Sequence, residues 1–215
     1  TDAPPFQVSP QHDRGLGALA FPSPARIAVA ATEGGAAYLD ISADSAHLQA
    51  LSRLARPSRA VLAGVGLAPG LTNLLAAEVH DGGPVHIGII GGIGERHGGA
   101  GRRWIWDSAG RTVDSGGTAE RVYGARRRFA VPGLGRRTLW RAAFGEQDQL
   151  ASDFGVPVAT WLGLDPSWAS PLLGLVGRWP GAADSVDRLS LPFQRLFSGR
   201  DRWTVVAVNQ SGVTS

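Results

Sequence analysis

The sequence predicts an α/β fold that opens on a parallel sheet and continues into a mixed α/β domain. Two observations carry this. Between Ala37 and Val65 a strand, a helix and a strand succeed one another at the spacing of a βαβ unit, which crosses right-handedly into a parallel sheet covered by helices. From Thr112 to Phe144 the pattern becomes turn-rich, with Arg126–Phe129 and Arg137–Phe144 reading as strands around Pro132-Gly133-Leu134-Gly135, the pattern of an antiparallel patch.

The elements follow in order. Thr1 to about Phe21 mixes Pro, Gly, His and Gln with no apolar period and predicts a loop. A short helix comes next, with Ser23 as cap, Pro24 in the first turn, Ile27, Val29 and Ala30 as its apolar positions, and Gly34-Gly35 as its stop. Ala37–Ile41 reads as a strand. Asp44 caps a helix carrying His47, Leu48, Leu51 and Leu54 at three- and four-residue spacing, and Ala60–Val65 is the second strand. After the loop Gly66–Asn73 a further helix is predicted, then an apolar strand over Val85–Gly92, a glycine-rich stretch over Gly94–Gly101 and a tryptophan-bearing segment to Asp107. Past the antiparallel patch, Glu146–Phe154 predicts a helix, Val158–Leu164 a strand, Ser167–Arg178 a helix capped by Ser167, and Arg202–Val208 a last strand. No internal repeat is visible.

Composition narrows the chemistry. Cysteine is absent, which excludes disulfides, thiolate catalysis and cysteine-bound metal, and makes a reducing cytoplasm the expected location. All 21 Lys and Arg positions are Arg, so no lysine serves as Schiff-base nucleophile, P-loop cation or general base, and proton transfer falls to His, Asp, Glu or Tyr. The formal charge of +3 points to a solvated or anion-binding surface rather than a nucleic-acid groove. The longest apolar stretches, such as Pro84–Ile93, fall short of the roughly 20 residues of a spanning helix, so no membrane association is expected. With no Met at position 1 and no signal-peptide pattern, Thr1 reads as a fragment boundary.

Ligands of parallel α/β sheets gather at the carboxyl ends of the strands. Here those places are Ser42-Ala43-Asp44 and Gly66-Leu67-Ala68-Pro69-Gly70-Leu71-Thr72-Asn73. The second has proline and glycines ahead of a helix, where backbone N–H groups are able to face a ligand; a tight turn explains the same residues.

Tyr38-Leu39-Asp40-Ile41-Ser42-Ala43-Asp44, followed by Gly64-Val65 and the loop just quoted, resembles the saccharopine dehydrogenase family and its bacterial relatives. The resemblance continues in Gly94-Glu95-Arg96-His97-Gly98 with Trp104 and Asp107, in Pro132-Gly133-Leu134-Gly135-Arg136-Arg137 and in Gly155-Val156-Pro157-Val158-Ala159-Thr160-Trp161-Leu162, and spans roughly residues 24 to 208. It implies an oxidoreductase using NADP or NAD, with hydride transfer at a C–N bond of an amino-acid-like small-molecule substrate, and a homodimer. It also implies a partial Rossmann-type parallel sheet over 1–66 followed by a mixed α/β substrate and dimerisation domain over 67–201, with 202–215 a terminal strand and tail that the family returns to the nucleotide-binding portion. The family's G-x-G-x-x-G turn is expected ahead of Thr1, since Gly91-Gly92-Ile93-Gly94 follows the wrong elements. The isolated fragment is then expected to be inactive. The rival reading is a non-catalytic dimerising remnant or interaction module that has lost the cofactor half.

By the resemblance, Asp40, Ser42, Gly66, Leu67, Ala68, Pro69 and Gly70 are the cofactor-binding candidates, and Asn73, His97 and Arg136 the substrate-binding ones. Each has a plainer reading. Asp44 is explained by N-capping, His97 by a solvent-facing or core imidazole, and Arg136 and Arg137, with Arg126–Arg128, by a solvated strand face instead of planar forks for a carboxylate. No histidine spacing supports a metal site, no G-x-S-x-G elbow supports a hydrolytic triad, and no proton-transfer residue stands out.

Overall fold

The structure, a computed structural model, describes residues 14–17, 24–54, 58–93, 104–115, 118–179, 181, 185, 186, 188 and 202–211. The proline-rich opening before Arg14, the expected cap Ser23 and the glycine-rich stretch with His97 lie outside them. The fold is mixed α/β and divides into two compact units. Described residues up to Asn73, joined by Phe144–Glu146, make the first; those from Leu74 to Ala143 and from Gln147 onward make the second.

In the first unit, β1 (Arg14–Gly17), β2 (Ala37–Asp40) and β3 (Val61–Leu62) form a parallel sheet in that order, with Leu16 opposite Leu39 and Leu39 opposite Leu62. Helix α1 (Pro24–Glu33) joins the first two strands and α2 (Ser45–Ser52) the second two, so the βαβ reading of 37–65 holds. The predicted stop of α1 is also found: Ala36 N–H reaches back to the Ala31 carbonyl at 2.9 Å. Asp44 caps α2 as expected, its Oδ1 accepting from the His47 backbone N–H at 2.9 Å. Ala28 and Ala31 of α1 pack with Leu51 of α2 on Tyr38, and Ile27, Leu54 and Val61 complete this small core. Strand β3 is shorter than the sequence predicts, because only Val61 and Leu62 of Ala60–Val65 pair with β2.

The second unit is built on a curled five-stranded sheet in the order β10-β4-β9-β8-β7. Its centre is the parallel pair β4 (Val85–Gly92) and β9 (Val158–Asp165), in register from Val85 opposite Val158 to Gly92 opposite Asp165. The flanking strands β10 (Trp203–Val208), β8 (Gly135–Ala142) and β7 (Arg126–Val131) all pair antiparallel. The last strand therefore joins β4 of this sheet. The sheet is mixed, so the all-parallel sheet among the described residues is that of the first unit.

Both central strands are buried along nearly their whole length, as expected of strands covered on two faces. On one face lie Val85, Ile87 and Ile89 with Leu162 and Leu164. Helices α3 (Leu71–Val79), α4 (Glu146–Phe154) and α5 (Pro171–Arg178) bury Ala76 and Val79, Leu150, and Leu173 and Val176 respectively. On the opposite face the curl gathers Ile90, Phe129, Val131, Leu139, Ala159, Trp161 and Val206 into a second core. Strands β5 (Thr112–Ser115) and β6 (Thr118–Arg121) form a separate two-stranded ribbon.

The predicted antiparallel patch is present, with β7 and β8 closing through Val131 opposite Gly135. The helix predicted from Ser167 differs in its start. A 3₁₀ turn over Ser167–Ala169 comes first, and α5 opens at Pro171 with Ser170 at its cap position. Ser170 Oγ is engaged elsewhere: it accepts from Leu164 N–H at 2.9 Å and lies 3.2 Å from the Leu164 carbonyl. Pro171, which has no N–H to contribute, sets the first turn instead. No helix among the described residues is long and apolar enough to cross a membrane.

Candidate functional site

The residues expected after β2 and after β3 come together in the first unit. Val65 N–H donates to the Asp40 carbonyl at 3.0 Å, which carries the chain leaving β3 alongside the end of β2. Gly66 then passes Ile41 so closely that a Cβ there would sit 3.4 Å from the Ile41 Cβ.

Asp40 is fully buried and its carboxylate is the hub of a polar cluster. Oδ2 accepts from the Tyr38 hydroxyl at 2.9 Å and from His47 Nε2 at 2.7 Å, and Oδ1 accepts from Ser42 N–H at 2.8 Å. Three donors are what keeps a buried carboxylate tolerable, since desolvation without partners would cost several kcal/mol. A carboxylate offers only acceptors, so His47 Nε2 is the donor of the shorter bond, and in the neutral form of the ring Nδ1 then carries the lone pair. The His47 side chain keeps 15 % of its surface exposed while that of Asp40 keeps none. Burial, with the Asp40 carboxylate beside it, pushes the Tyr38 phenol far up and fixes it as a donor.

Local sequence produces this arrangement. Asp40 ends β2, and the short link Ile41–Asp44 lets Asp44 start α2. Ser42 Oγ accepts from Asp44 N–H at 3.3 Å within that link. His47 falls in the first turn of α2, close enough to the strand end for its ring to reach back to Asp40. In the sequence alone His47 stands out only as a position of the helix that Asp44 caps. The signal that identifies it is a carboxylate closing a strand with a histidine three residues beyond the next N-cap.

The loop Gly66–Asn73 closes on itself. Gly66 N–H donates to the Pro69 carbonyl at 2.9 Å, and the N–H groups of Leu71, Thr72 and Asn73 donate to the carbonyls of Gly66, Leu67 and Gly70. Asn73 Oδ1 accepts from Gly70 N–H at 3.1 Å. The peptide between Ala68 and Pro69 is cis. Of the backbone donors expected to face a ligand, most are thus spent inside the turn, and those of Leu67 and Ala68 take part in none of these bonds. Pro69 is buried; Leu67 is exposed at the rim together with Ile41, Val65 and Leu71.

Of the candidates, then, Asp40, Ser42, Gly66, Leu67, Ala68, Pro69, Gly70 and Asn73 share the carboxyl end of the parallel strands. Asp40 contributes through the groups it holds, because no surface of its own is exposed. Arg136 is exposed on β8 in the second unit, opposite Ala130. His97 is outside the described residues.

A second polar cluster lies in the second unit, at one end of the apolar face of the curled sheet. Trp161 Nε1–H points to His86 Nδ1 at 3.4 Å, with the two rings 6.1 Å apart. On the other side of Trp161, the Arg141 guanidinium carbon stands 5.9 Å from the indole centroid. Arg141 is itself fully buried and donates to Glu120, Gln147 and the carbonyls of Ala142 and Thr160. Burial, then the charges of Arg127 and Arg141, bring the His86 imidazole down to about 4. Elsewhere in this unit His80 stacks on Phe154 with centroids 4.3 Å apart. Among the described residues no group of three or more His, Asp or Glu is placed to hold a metal ion.

No family model matches the chain, and no curated protein matches it either.

Proposed function

We propose that the chain is part of an NAD(P)-dependent oxidoreductase of the saccharopine dehydrogenase type, whose three parallel strands belong to a Rossmann-type sheet. On this reading it transfers hydride at a C–N bond of an amino-acid-like substrate. The single observation that carries the reading is the convergence of two separate segments, 40–42 and 66–70, at the carboxyl ends of neighbouring parallel strands, where α/β sheets bind their ligands. The residues fit a flat cofactor ring in one respect: Gly66 and Ala68 bring backbone close to the surface beside an apolar rim of Ile41, Val65 and Leu67. Bound there, an oxidised nicotinamide supplies the acceptor for the hydride.

The chain's own task is positioning and proton transfer. Oxidation of a secondary amine to an imine releases a hydride from carbon and a proton from nitrogen. His47 Nδ1 takes the proton. Asp40, buried and bonded to Nε2, orients the ring and stabilises the imidazolium that forms, while Tyr38 and Ser42 hold Asp40 in turn. Asp40 is therefore a positioning residue. The test is a titration of the full-length protein with NADH and NADPH, followed by nicotinamide fluorescence. Saturable enhancement of one or both is expected, and its absence removes the reading.

A further inference from the structure

The polar end of the curled sheet has a feature that core packing does not require. Strand alternation and register place His86, Trp161, Arg141 and Arg127 on one face: His86 lies opposite Ala159 and Val208, Trp161 opposite Arg141, and Leu139 opposite Arg127. The rest of that face is the apolar core of Ile90, Phe129, Val131, Leu139 and Val206. Apart from Arg137, opposite Phe129, and Asp165, opposite Gly92 at the far end of β9, its charged residues gather at this end. Trp161 holds the set together, with His86 at one side and the Arg141 guanidinium at the other.

The charges there do not balance around His86. Arg141 is matched by Glu120, whose Oε2 lies 2.7 Å from Arg141 Nε. Arg127 is exposed and has no ion-pair partner among the described residues. Both arginines oppose a charge on the half-buried imidazole, and the opposite effect of the Glu120 carboxylate is smaller than that of either. With Nδ1 accepting from Trp161, the neutral ring presents Nε2–H as a donor. A partly buried place with an excess of positive potential, an exposed guanidinium fork and a neutral N–H donor suits an anion that accepts hydrogen bonds. The adjoining indole provides a flat apolar wall for a carbon skeleton.

We propose that His86 and Arg127, backed by Trp161 and Arg141, form a binding site for a small organic carboxylate. This goes beyond the oxidoreductase reading and does not depend on it, since every residue involved belongs to the second unit. Arg127 forks the carboxylate and His86 Nε2–H donates to it; Trp161 lies against the attached carbon chain. Arg136, which the sequence offered for this role, faces the other side of the hairpin: it is opposite Ala130, in register alternation with the Phe129–Arg137 pair.

Calorimetric titration of the full chain with glutarate, with inorganic phosphate as a parallel probe, tests the site. Glutarate is expected to bind saturably. Arg127→Gln is expected to weaken it about tenfold or more, the usual effect of losing one charged hydrogen bond, and His86→Gln to weaken it to a smaller degree. Arg126→Gln, on the opposite face beside Trp140, leaves glutarate binding unchanged. Arg127 is exposed, so its variant folds; circular dichroism checks that. Equal losses in the Arg126 and Arg127 variants indicate a diffuse cationic surface and overturn the proposal. Phosphate binding tighter than glutarate, with the same dependence on Arg127, overturns the carboxylate assignment. No saturable binding of either probe overturns the site altogether. A protein that binds glutarate but neither NADH nor NADPH keeps this site while losing the oxidoreductase reading.

Discussion

Arg141 donates its Nε–H to Glu120 Oε2 at 2.7 Å from a side chain with no exposed surface, while Glu120 keeps about a third of its own surface in solvent. Two of the other hydrogen bonds of Arg141 go to the carbonyls of Ala142 and Thr160, which ties the guanidinium to β8 and β9 together. Burial lowers the affinity of this guanidinium for its proton and the Glu120 bond offsets part of that loss.

The pair is therefore unequal under mutation. Glu120→Gln keeps a hydrogen-bonding group but removes the compensating charge, and the partial exposure of Glu120 discounts the loss to about 1–2 kcal/mol. Arg141→Met removes the buried charge and strands Gln147 and two carbonyls, costing about 3–4 kcal/mol. Urea unfolding of the two variants ranks them; a smaller loss for Arg141→Met than for Glu120→Gln contradicts the central place of Arg141 in the sheet.

His86 sets a pH dependence. Its ordinary value near 6.5 applies in the unfolded chain, and in the fold it lies at about 4. Between those values the unfolded chain binds the proton and the folded one does not, so acid favours unfolding. The stability associated with a neutral His86 is fully present above pH 6.5 and is lost as the pH falls toward 4. The wild-type urea midpoint should therefore drop more steeply between pH 7 and 4.5 than that of His86→Gln, by a slope approaching about one proton. Parallel slopes for the two proteins remove this role.

Gly70 carries the turn at the candidate site. Its φ is +134°, and an added Cβ would strike the Gly66 carbonyl group. Gly82 also has a positive φ, +91°, but an added Cβ there meets nothing within 4 Å. Gly82→Ala pays for backbone conformation alone, about 1 kcal/mol. Gly70→Ala adds a collision with backbone, bringing the cost to about 3 kcal/mol and displacing the loop. Thermal unfolding measures the difference, and equal losses at the two positions exclude a tightly closed 66–70 turn.

Much of this fold is legible in local pattern. The helix stop at Gly34-Gly35, the Asp44 cap, the Pro132–Gly135 hairpin and the helix Glu146–Phe154 are each encoded within a few residues, and each is found. Less local features are not readable in this way. That β3 pairs over two residues only, that β5 and β6 stand apart from the main sheet, and that Ser170 rather than Ser167 stands ahead of α5 all depend on which partner a backbone group finds in the folded chain. The site divides along the same line. Segments 40–42 and 66–73 were visible because strand ends and glycine turns are local signals. His47 and the His86–Trp161–Arg141 set were not, since their meaning lies in contacts across seven residues in one case and as many as 75 in the other.

The Asp40–His47 pair separates structural from chemical roles more sharply than any other contact in the first unit. Asp40 is buried with three donors aimed at it, so Asp40→Asn replaces one acceptor oxygen by a donor and sets it against at least one of them. A loss of about 2 kcal/mol follows. His47 is partly exposed and its ring donates to Asp40 alone among the described residues, so His47→Gln, whose amide reaches Asp40 as a donor, keeps stability within about 1 kcal/mol of wild type. Tyr38→Phe removes one of the three donors without touching His47, and costs about 1 kcal/mol. If His47 accepts the proton in the proposed oxidation, turnover falls about 10²–10⁴-fold in His47→Gln and in Asp40→Asn, and by far less in Tyr38→Phe. The pattern to measure is the split between unfolding midpoint and kcat. Activity that tracks stability across all three variants assigns the cluster to folding alone, whereas a stable but inactive His47→Gln places the proton on its imidazole.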